Sequence, residues 1–433
     1  MCDTIVALPD ATEDGAVLLA KNADTEVNEA QQILRLPRRD YLPGAAVRVT
    51  HLTIPQATHT HEVILGRSFW TWGGEVGCNE HGVAIGNEAA FSNQKCEKDG
   101  TGAIDLLRLA LERAASARDA VDVIGDHVVR FGQGGNCQMM GNYWFDSGLL
   151  VADRKEAWVV NCAGHHWAAR QAKSTEAISN RFQIGADWDL SSLSASRPVN
   201  GETKPDFRAR FADPVREQEC AADERESCAA GLLAARRGAI TMHDMAAVLR
   251  DVGDEASYDV TADARPTKVC MHAGPTPARF WHATSAMITE VRPDSVVVWM
   301  TGTSATDLSI FKPLFFGVDT PSGLMPLGTD TEGTIWWRHE RLHRPAMAHY
   351  RQLKPAIRAE FDALERSFQS ESATVRDGSL RLKEEFVAWC WHRAAAATEA
   401  WIDRLARLPY AISHSAYRAA WERWNAEASL AFA

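Results

Sequence analysis

The stretch CDTIVALPDATEDGAVLLAKNAD, residues 2–24, decides how the rest of the sequence is interpreted. Two β-type runs, TIVAL (4–8) and AVLLAKN (16–22), flank the turn-forming residues PDATEDG, which predicts a β-hairpin. A methionine followed by a small residue is usually removed during synthesis, and Cys2 would then carry both a thiol and a free α-amine. The sequence therefore predicts a candidate catalytic centre at the start of a strand.

Size and charge limit the class of protein. With 433 residues, 45% of them hydrophobic, the chain can bury a sizeable core as one large domain with an appendage, or as two domains. The net charge of −11 gives no basic surface for nucleic acid or anionic lipid, and no apolar run of 18 residues could span a bilayer. We expect neither nucleic acid nor a membrane as a partner.

The cysteines indicate a reducing compartment. Their number is odd, they form no CxxC pair, and a chain of this size does not need disulfides. The N-terminus also lacks the basic start of a signal peptide. We expect a cytoplasmic protein with reduced thiols at all nine positions: Cys2, Cys78, Cys96, Cys137, Cys162, Cys220, Cys228, Cys270 and Cys390.

Further hairpins predict that the sheets are mainly antiparallel. LLVAD (149–153) and EAWVVNCAG (156–164) are separated by two residues, and ITEV (288–291) and SVVVWMTG (295–302) by three. Amphipathic patterns predict a helix over 103–114, with Ile104, Leu107, Leu111 and Ala114 on one face, and a second helix that begins near Ser116.

Two later regions differ from this β-rich texture. Residues 191–230 show little periodicity, so we interpret them as a loop-rich excursion, either a plain surface loop or part of a substrate entrance. From about residue 334 the chain has long helix-forming stretches, and no glycine follows Gly378. We therefore predict a catalytic domain over 1–333 and a helical extension over 334–433, whose apolar stripes leave a homodimer as an open alternative.

HERLH at 339–343 matches H-E-x-x-H, in which two histidines one helical turn apart bind zinc and the Glu acts as base. Arginines surround this motif and Pro345 follows it, whereas the helix of such a peptidase needs mostly uncharged neighbours. Glu360 or Glu365 could be a third ligand only if the chain folds back. We interpret the motif as a surface helix with polar i, i+4 pairs and keep a zinc peptidase as a remote alternative.

A free α-amine has a pKa of about 7.7–8.0, so the amine of Cys2 could accept a proton from its own thiol near neutral pH. Such a centre needs an acid to orient the amine and a cation to stabilise the thiolate. Lys21 and Asp24 lie on the strand that is predicted to pair with the N-terminus.

The chain resembles the secernin and C69 dipeptidase group of N-terminal nucleophile hydrolases, which are related to penicillin V acylase and bile salt hydrolase. The resemblance runs from one end of the chain to the other. Besides residues 2–31, the segments that carry it are 70–89, 101–114, 149–170, 177–187, 268–274, 301–316 and 336–344.

The resemblance implies an α+β fold, a four-layer αββα sandwich of antiparallel sheets with a C-terminal helical appendage. It implies that Asp24 orients the amine and that Lys21 replaces an arginine beside the thiol, with the loss of the planar fork. An oxyanion hole is implied at the main-chain N–H near Asn87 and the side-chain amide of Asn180. A further arginine of some relatives has no motif here that we can place.

The leading hypothesis is a cysteine-nucleophile amide hydrolase that cleaves a dipeptide or a small N-acyl compound through a thioester, without a metal or organic cofactor. Three alternatives stay open. The same thioester could pass to an amine, which would make the protein an acyltransferase. A secernin-like regulatory protein could keep the fold with little peptidase activity, and the zinc peptidase is the third.

Overall fold

A computed structural model describes residues 1–95, 97–194, 204–262, 267–328, 333–410 and 412–432. Within these ranges the strands, numbered in chain order, are β1 (Cys2–Ala7), β2 (Val17–Glu26), β3 (Gln31–Leu36), β4 (Arg39–Asp40), β5 (Ala46–Arg48), β6 (Thr53–Pro55), β7 (His59–Thr60), β8 (Val63–Ser68), β9 (Val76–Asn79), β10 (Ala84–Ala90), β11 (Asp146–Ala152), β12 (Ala157–Ala163), β13 (His166–Gln171), β14 (Thr175–Ile178), β15 (Leu190–Ser191), β16 (Trp281–Val291), β17 (Val296–Met300) and β18 (Lys312–Leu314).

The helices in the same ranges are α1 (Ala103–Arg113), α2 (Ala117–Phe131), α3 (Phe207–Phe211), α4 (Pro214–Glu219), α5 (Ala222–Arg236), α6 (Met242–Leu249), α7 (Ile335–Met347), α8 (Tyr350–Val375), α9 (Leu380–Leu405) and α10 (Ser415–Glu427). No helix in the described part is long and apolar enough to cross a bilayer. None of the eight described cysteines forms a disulfide, and Cys96 lies outside the described residues.

Two antiparallel sheets form the centre of the fold. The six-stranded sheet has the order β14-β1-β2-β16-β17-β18, and the eight-stranded sheet has the order β15-β13-β12-β11-β10-β9-β8-β3. Strands β1 and β2 contact β10 of the other sheet. All three predicted hairpins are confirmed, since β1 pairs with β2, β11 with β12, and β16 with β17.

Helices cover the outer face of each sheet. Helices α1 and α2 pack on β9 to β13, while α5 and α6 pack on β1, β2, β14 and β16. The Ser116 side chain caps α2 by accepting from the Asp119 N–H at 3.1 Å, as its spacing predicts. Leu107 and Leu111 are fully buried against the eight-stranded sheet. The sequence-based expectation of an αββα sandwich is confirmed.

The interpretation of 191–230 as a loop-rich excursion is wrong for its described C-terminal part, which contains α3, α4 and the start of α5; residues 195–203 lie outside the described residues. The inner face of α5 consists of Ala222, Arg225, Ala229 and Leu233. This face repeats with helical spacing, but only one of its side chains is large and apolar. A search for apolar periodicity therefore misses the helix.

The C-terminal helices share the main hydrophobic core with the sheets. Phe361 of α8 and Trp391 of α9 belong to the same buried cluster as Met287 of β16. The hydrophobic core is therefore continuous across residue 333. The division of the chain into two domains at that residue stays a prediction.

One buried ion pair links α8 to the sheet side of the molecule. Glu365 of α8 accepts from Arg250, which follows α6, at 2.6 and 3.0 Å, and also from the Phe311 N–H at 2.7 Å. Glu365 is 1% exposed. Because the pair is buried and bidentate, replacing either partner alone should destabilise the fold.

We predict that Glu365→Gln lowers the free energy of unfolding by about 3–5 kcal/mol, because it leaves the buried charges of Arg250 and Arg358 with Asp362 as their one shared carboxylate among the described residues. The matched control is Glu360→Gln on the same helix, whose pair with Arg404 is about half exposed. That change should cost less than about 1 kcal/mol. Urea unfolding measures both, and equal losses would contradict a special role for the buried pair.

Candidate active site

Cys2 is the first residue of β1, and pairing with β2 places it opposite Ala23. The Asp24 N–H donates to Cys2 Sγ at 3.3 Å, and the Met1 amine donates to Asp24 O at 2.8 Å. Cys2 is 5% exposed. The hairpin thus holds the thiol in a fixed place in the core, with Met1 still attached to its nitrogen.

Asn180 holds the nitrogen that would become the catalytic amine. The Cys2 N–H donates to Asn180 Oδ1 at 3.0 Å, and Asn180 Nδ2 donates to Ala89 O at 2.8 Å. Asn180 follows β14, which pairs with the other edge of β1. The structure therefore brings Asn180 to Cys2, but through its oxygen. Its predicted part in the oxyanion hole, which needs the Nδ2 hydrogens, stays a prediction.

Lys21 is fully buried next to Cys2 and forms an ion pair with Glu75. Lys21 Nζ donates to Glu75 O at 2.8 Å, to Glu75 Oε2 at 3.1 Å and to Asn87 Oδ1 at 3.0 Å. The Cys2 Sγ atom is 4.0 Å from the same Glu75 Oε2. Because an ammonium group has three N–H donors, all of those on Lys21 are engaged.

Asn87 lies on β10 and supports this ion pair. Its Nδ2 donates to Gly74 O at 2.9 Å, and its main-chain N–H donates to Glu75 O over a long 3.4 Å. The predicted role of the Asn87 N–H as an oxyanion donor would require giving up that long bond. It also stays a prediction.

Arg225 of α5 is a site residue that the sequence analysis missed. It is fully buried, pairs with Asp3, donates to Cys2 O at 3.1 Å and also donates to Asn180 Oδ1. It fixes both Asp3, the residue after Cys2, and the amide that holds the Cys2 nitrogen. The sequence carries little signal for it, because the buried face of α5 has only one large apolar side chain, Leu233. Glu75 was missed as well, although it lies in the segment 70–89.

Burial dominates the protonation states at this site. It raises the pKa of the Cys2 thiol to about 12, although the Lys21 charge lowers it. Burial lowers the pKa of Lys21, but the adjacent Cys2 and Glu75 outweigh burial and raise that pKa overall. Burial also raises the pKa of the Asp24 carboxyl to about 7. With Met1 attached, the thiol is protonated at neutral pH and is a poor nucleophile.

The site opens into a narrow cavity of about 50 Å³ that Met1 itself helps to line. Asp24, Glu29 and Glu75 line it, as does Ile104 of α1. Five aromatic side chains complete its wall: Trp70, Phe91, Tyr143, Phe145 and Trp281. Departure of Met1 would widen the cavity next to Cys2, leaving a small space with acidic groups and aromatic walls.

HERLH does not form the metal site that its pattern suggests. His339 Nε2 lies 3.4 Å from Ser309 Oγ, while Glu340 is bound to Arg344 at 2.6 Å. No group of metal-compatible side chains in the described part contains both His339 and His343. The expectation of a surface helix is also wrong, because four of the five residues, all except the exposed Arg341, are buried where α7 packs on the core.

Residues 1–195 match the sequence model of peptidase family C69. Over 219 residues the chain is 26% identical to a dipeptidase of Bifidobacterium longum (strain NCC 2705), with 44% of this chain and 38% of that protein aligned. It is also 26% identical over 183 residues to probable dipeptidase B of Lactococcus lactis subsp. lactis (strain IL1403), with 39% and 36% aligned. The chain thus spans less than two fifths of the length of these relatives. The resemblance to the C69 dipeptidases is confirmed.

Two solved structures are similar in outline. A C2A mutant of conjugated bile acid hydrolase from Clostridium perfringens aligns with a TM-score of 0.44 and 11% identity, over 75% of this chain and 94% of that one. Penicillin V acylase from Agrobacterium tumefaciens aligns with a TM-score of 0.44 and 12% identity, over 73% and 87%.

We predict that Asp24→Asn stabilises the chain that retains Met1, and does so more at high pH. A carboxyl with a pKa of about 7 in the fold and about 3.9 when unfolded binds a proton on folding. The free energy of unfolding therefore falls as the pH rises from about 3.9 to about 7. The loss is about 1.4 kcal/mol per unit of pKa difference and at most about 4 kcal/mol. Asparagine has no such proton to lose.

Urea unfolding at pH 5 and pH 8 measures this difference after mass spectrometry has verified that Met1 is present. The excess stability of Asp24→Asn should be larger at pH 8. Asp294→Asn, at an exposed turn, is the control and should leave the pH dependence as it is. An identical pH dependence for wild type and Asp24→Asn would contradict the raised pKa.

Proposed function

We propose that this chain is a cysteine-nucleophile amide hydrolase that cleaves small peptides after removal of Met1. The observation that carries the proposal is the position of Cys2, whose nitrogen is held by Asn180 at 3.0 Å while its thiol lies beside the Lys21–Glu75 pair. A nucleophile, its base and a charge partner would then meet at one chain terminus. The C69 match and the dipeptidase relatives support the same reaction class.

In the mechanism we propose, the free α-amine of Cys2 takes the proton of the Cys2 thiol. The thiolate attacks the substrate carbonyl carbon, and the negative charge passes to the carbonyl oxygen. Asn180 Nδ2 and the Asn87 N–H would stabilise that oxygen. The protonated amine then gives its proton to the leaving nitrogen, the C–N bond breaks, and a thioester remains on Cys2. Water hydrolyses the thioester and restores the thiol.

The cavity favours a substrate with a free α-ammonium group. Glu75 and Glu29 both line the space beside Cys2, and the aromatic rings offer apolar contact for an uncharged side chain. Lys21 already pairs with Glu75, and burial raises the pKa of Glu29 to about 7. A protonated amine gains from the negative charge that these two groups keep, whereas an N-acylated amine does not. We therefore propose dipeptides with an uncharged N-terminal residue in preference to N-acyl compounds.

We predict that Cys2→Ala lowers kcat/KM for such a dipeptide by about 10⁴-fold or more, since it removes the group that forms the covalent bond. Alanine is also small, so Met1 removal is preserved. Cys228→Ala is the matched control, because that half-buried thiol contacts Asp251 and Lys268 away from the cavity. It should leave kcat/KM within about twofold.

Product analysis by liquid chromatography and mass spectrometry, with and without an added acceptor amine, completes this test. Free amino acids in both cases support the hydrolase, and an amide formed with the acceptor would identify an acyltransferase. Full activity of Cys2→Ala would contradict the mechanism. Absence of turnover in a chain that has lost Met1 would favour the regulatory alternative.

A further inference from the structure

Three histidines from separate segments meet in the core where β16 contacts α7. His272 precedes β16, His282 is the second residue of β16, and His343 lies on α7. Each is at most 1% exposed, and each offers a ring nitrogen within 4.8 Å of those of the other two. The ring centres of His282 and His343 are 4.7 Å apart, and those of His272 and His282 are 5.8 Å apart.

One nitrogen of each of these rings has no hydrogen-bond partner among the described residues. The three atoms are His272 Nδ1, His282 Nε2 and His343 Nε2. A buried polar atom without a partner costs free energy, so native cores rarely leave one unpaired. Three in a single cluster indicate that the cluster binds something.

The other nitrogens of two rings are held by carboxylates. His272 Nε2 is 3.1 Å from Asp307 Oδ2, and His343 Nδ1 is 3.4 Å from Glu340 Oε2. If these nitrogens carry the ring protons, the lone pairs of His272 Nδ1 and His343 Nε2 are free. A carboxylate behind an imidazole is the usual support of a metal-binding histidine.

We propose that His272, His282 and His343 bind one zinc-class divalent cation that fastens α7 to β16. Three imidazoles suit zinc, which takes four ligands, so a water molecule or small anion would complete the site. The ion would link the C-terminal helices to β16, which pairs with β2. Lys21 and Asp24 lie on β2. This role is structural and does not depend on amide hydrolysis.

Binding of the ion changes the position and contacts of His282. Its ring is stacked on that of His343 with 21° between the planes, so it must turn to point its lone pair at a shared ion. It must also move its ring proton from Nε2 to Nδ1 and give up a long 3.3 Å contact from the Ala273 N–H. Arg344 and Lys354 share the supporting carboxylates. We therefore expect the cluster to take up zinc when zinc is added, with a lower affinity than that of a site made of four cysteines.

The cluster uses only the second histidine of HERLH. His339, one turn earlier on α7, is also buried but contacts Ser309 instead. The same helix therefore provides a matched pair of buried histidines, one inside the cluster and one outside it.

The experiment is equilibrium dialysis of the full chain against micromolar Zn²⁺, followed by elemental analysis. We expect about one tightly held zinc per chain for wild type and His339→Gln, and at least a tenfold lower content for His343→Gln. Zinc should also raise the Tm of wild type and leave that of His343→Gln unchanged. Wild type without saturable zinc, or equal zinc content in the two variants, would overturn the proposal.

Visible absorption of wild type loaded with Co²⁺ tests the same site without a variant, and it therefore applies even if a variant does not fold. Co²⁺ bound by three imidazoles in a tetrahedral site should give intense visible absorption bands that disappear when excess Zn²⁺ is added. Absence of these bands would mean that the cluster holds only water, which also overturns the proposal. Alkylation of Cys2 in the zinc-free chain serves as an independent readout of the proposed function.

Discussion

The pairing of β1 with β2 is the constraint on which the rest of the site depends. Its register sets Cys2 opposite Ala23 and Thr4 opposite Lys21. A slip of one residue would turn every side chain of β1 to the other face of the sheet. Strand β16 holds β2 from the other side, with Ala283 opposite Asp24. The chain terminus is therefore as firmly placed as a residue in the middle of a strand.

Buried charge pairs then join distant segments to this hairpin. Lys21 reaches Glu75 just before β9, and Arg225 of α5 reaches Asp3 beside Cys2. Taking such charges out of water is costly, and each is tolerable only because its partner is present. The ion pairs specify which segments meet at Cys2. Replacing one partner of either pair would leave an uncompensated charge in the core.

The sequence was sufficient for features that depend on local patterns. Short β-type runs and turn signals predicted the β1–β2 hairpin, and the Ser116 cap predicted the start of α2. It was insufficient for Arg225, because a charged residue on the inner face of a helix breaks the apolar pattern that marks buried positions. The burial of HERLH was missed for the same reason. Charged residues are usually solvated, and only the folded chain shows that Glu340 and Arg344 neutralise each other.

The central claim is that Cys2 becomes a nucleophile only when Met1 has left, because only then is a free α-amine present to take the proton of the thiol, whose pKa burial raises. The most direct test is the rate of alkylation of Cys2 at pH 7, followed by peptide mass spectrometry, for chains prepared with and without methionine aminopeptidase activity. The account predicts that the chain lacking Met1 is alkylated at Cys2 at least about 100-fold faster, as expected for a thiol with a much lower pKa. Equal rates for the two chains would contradict it.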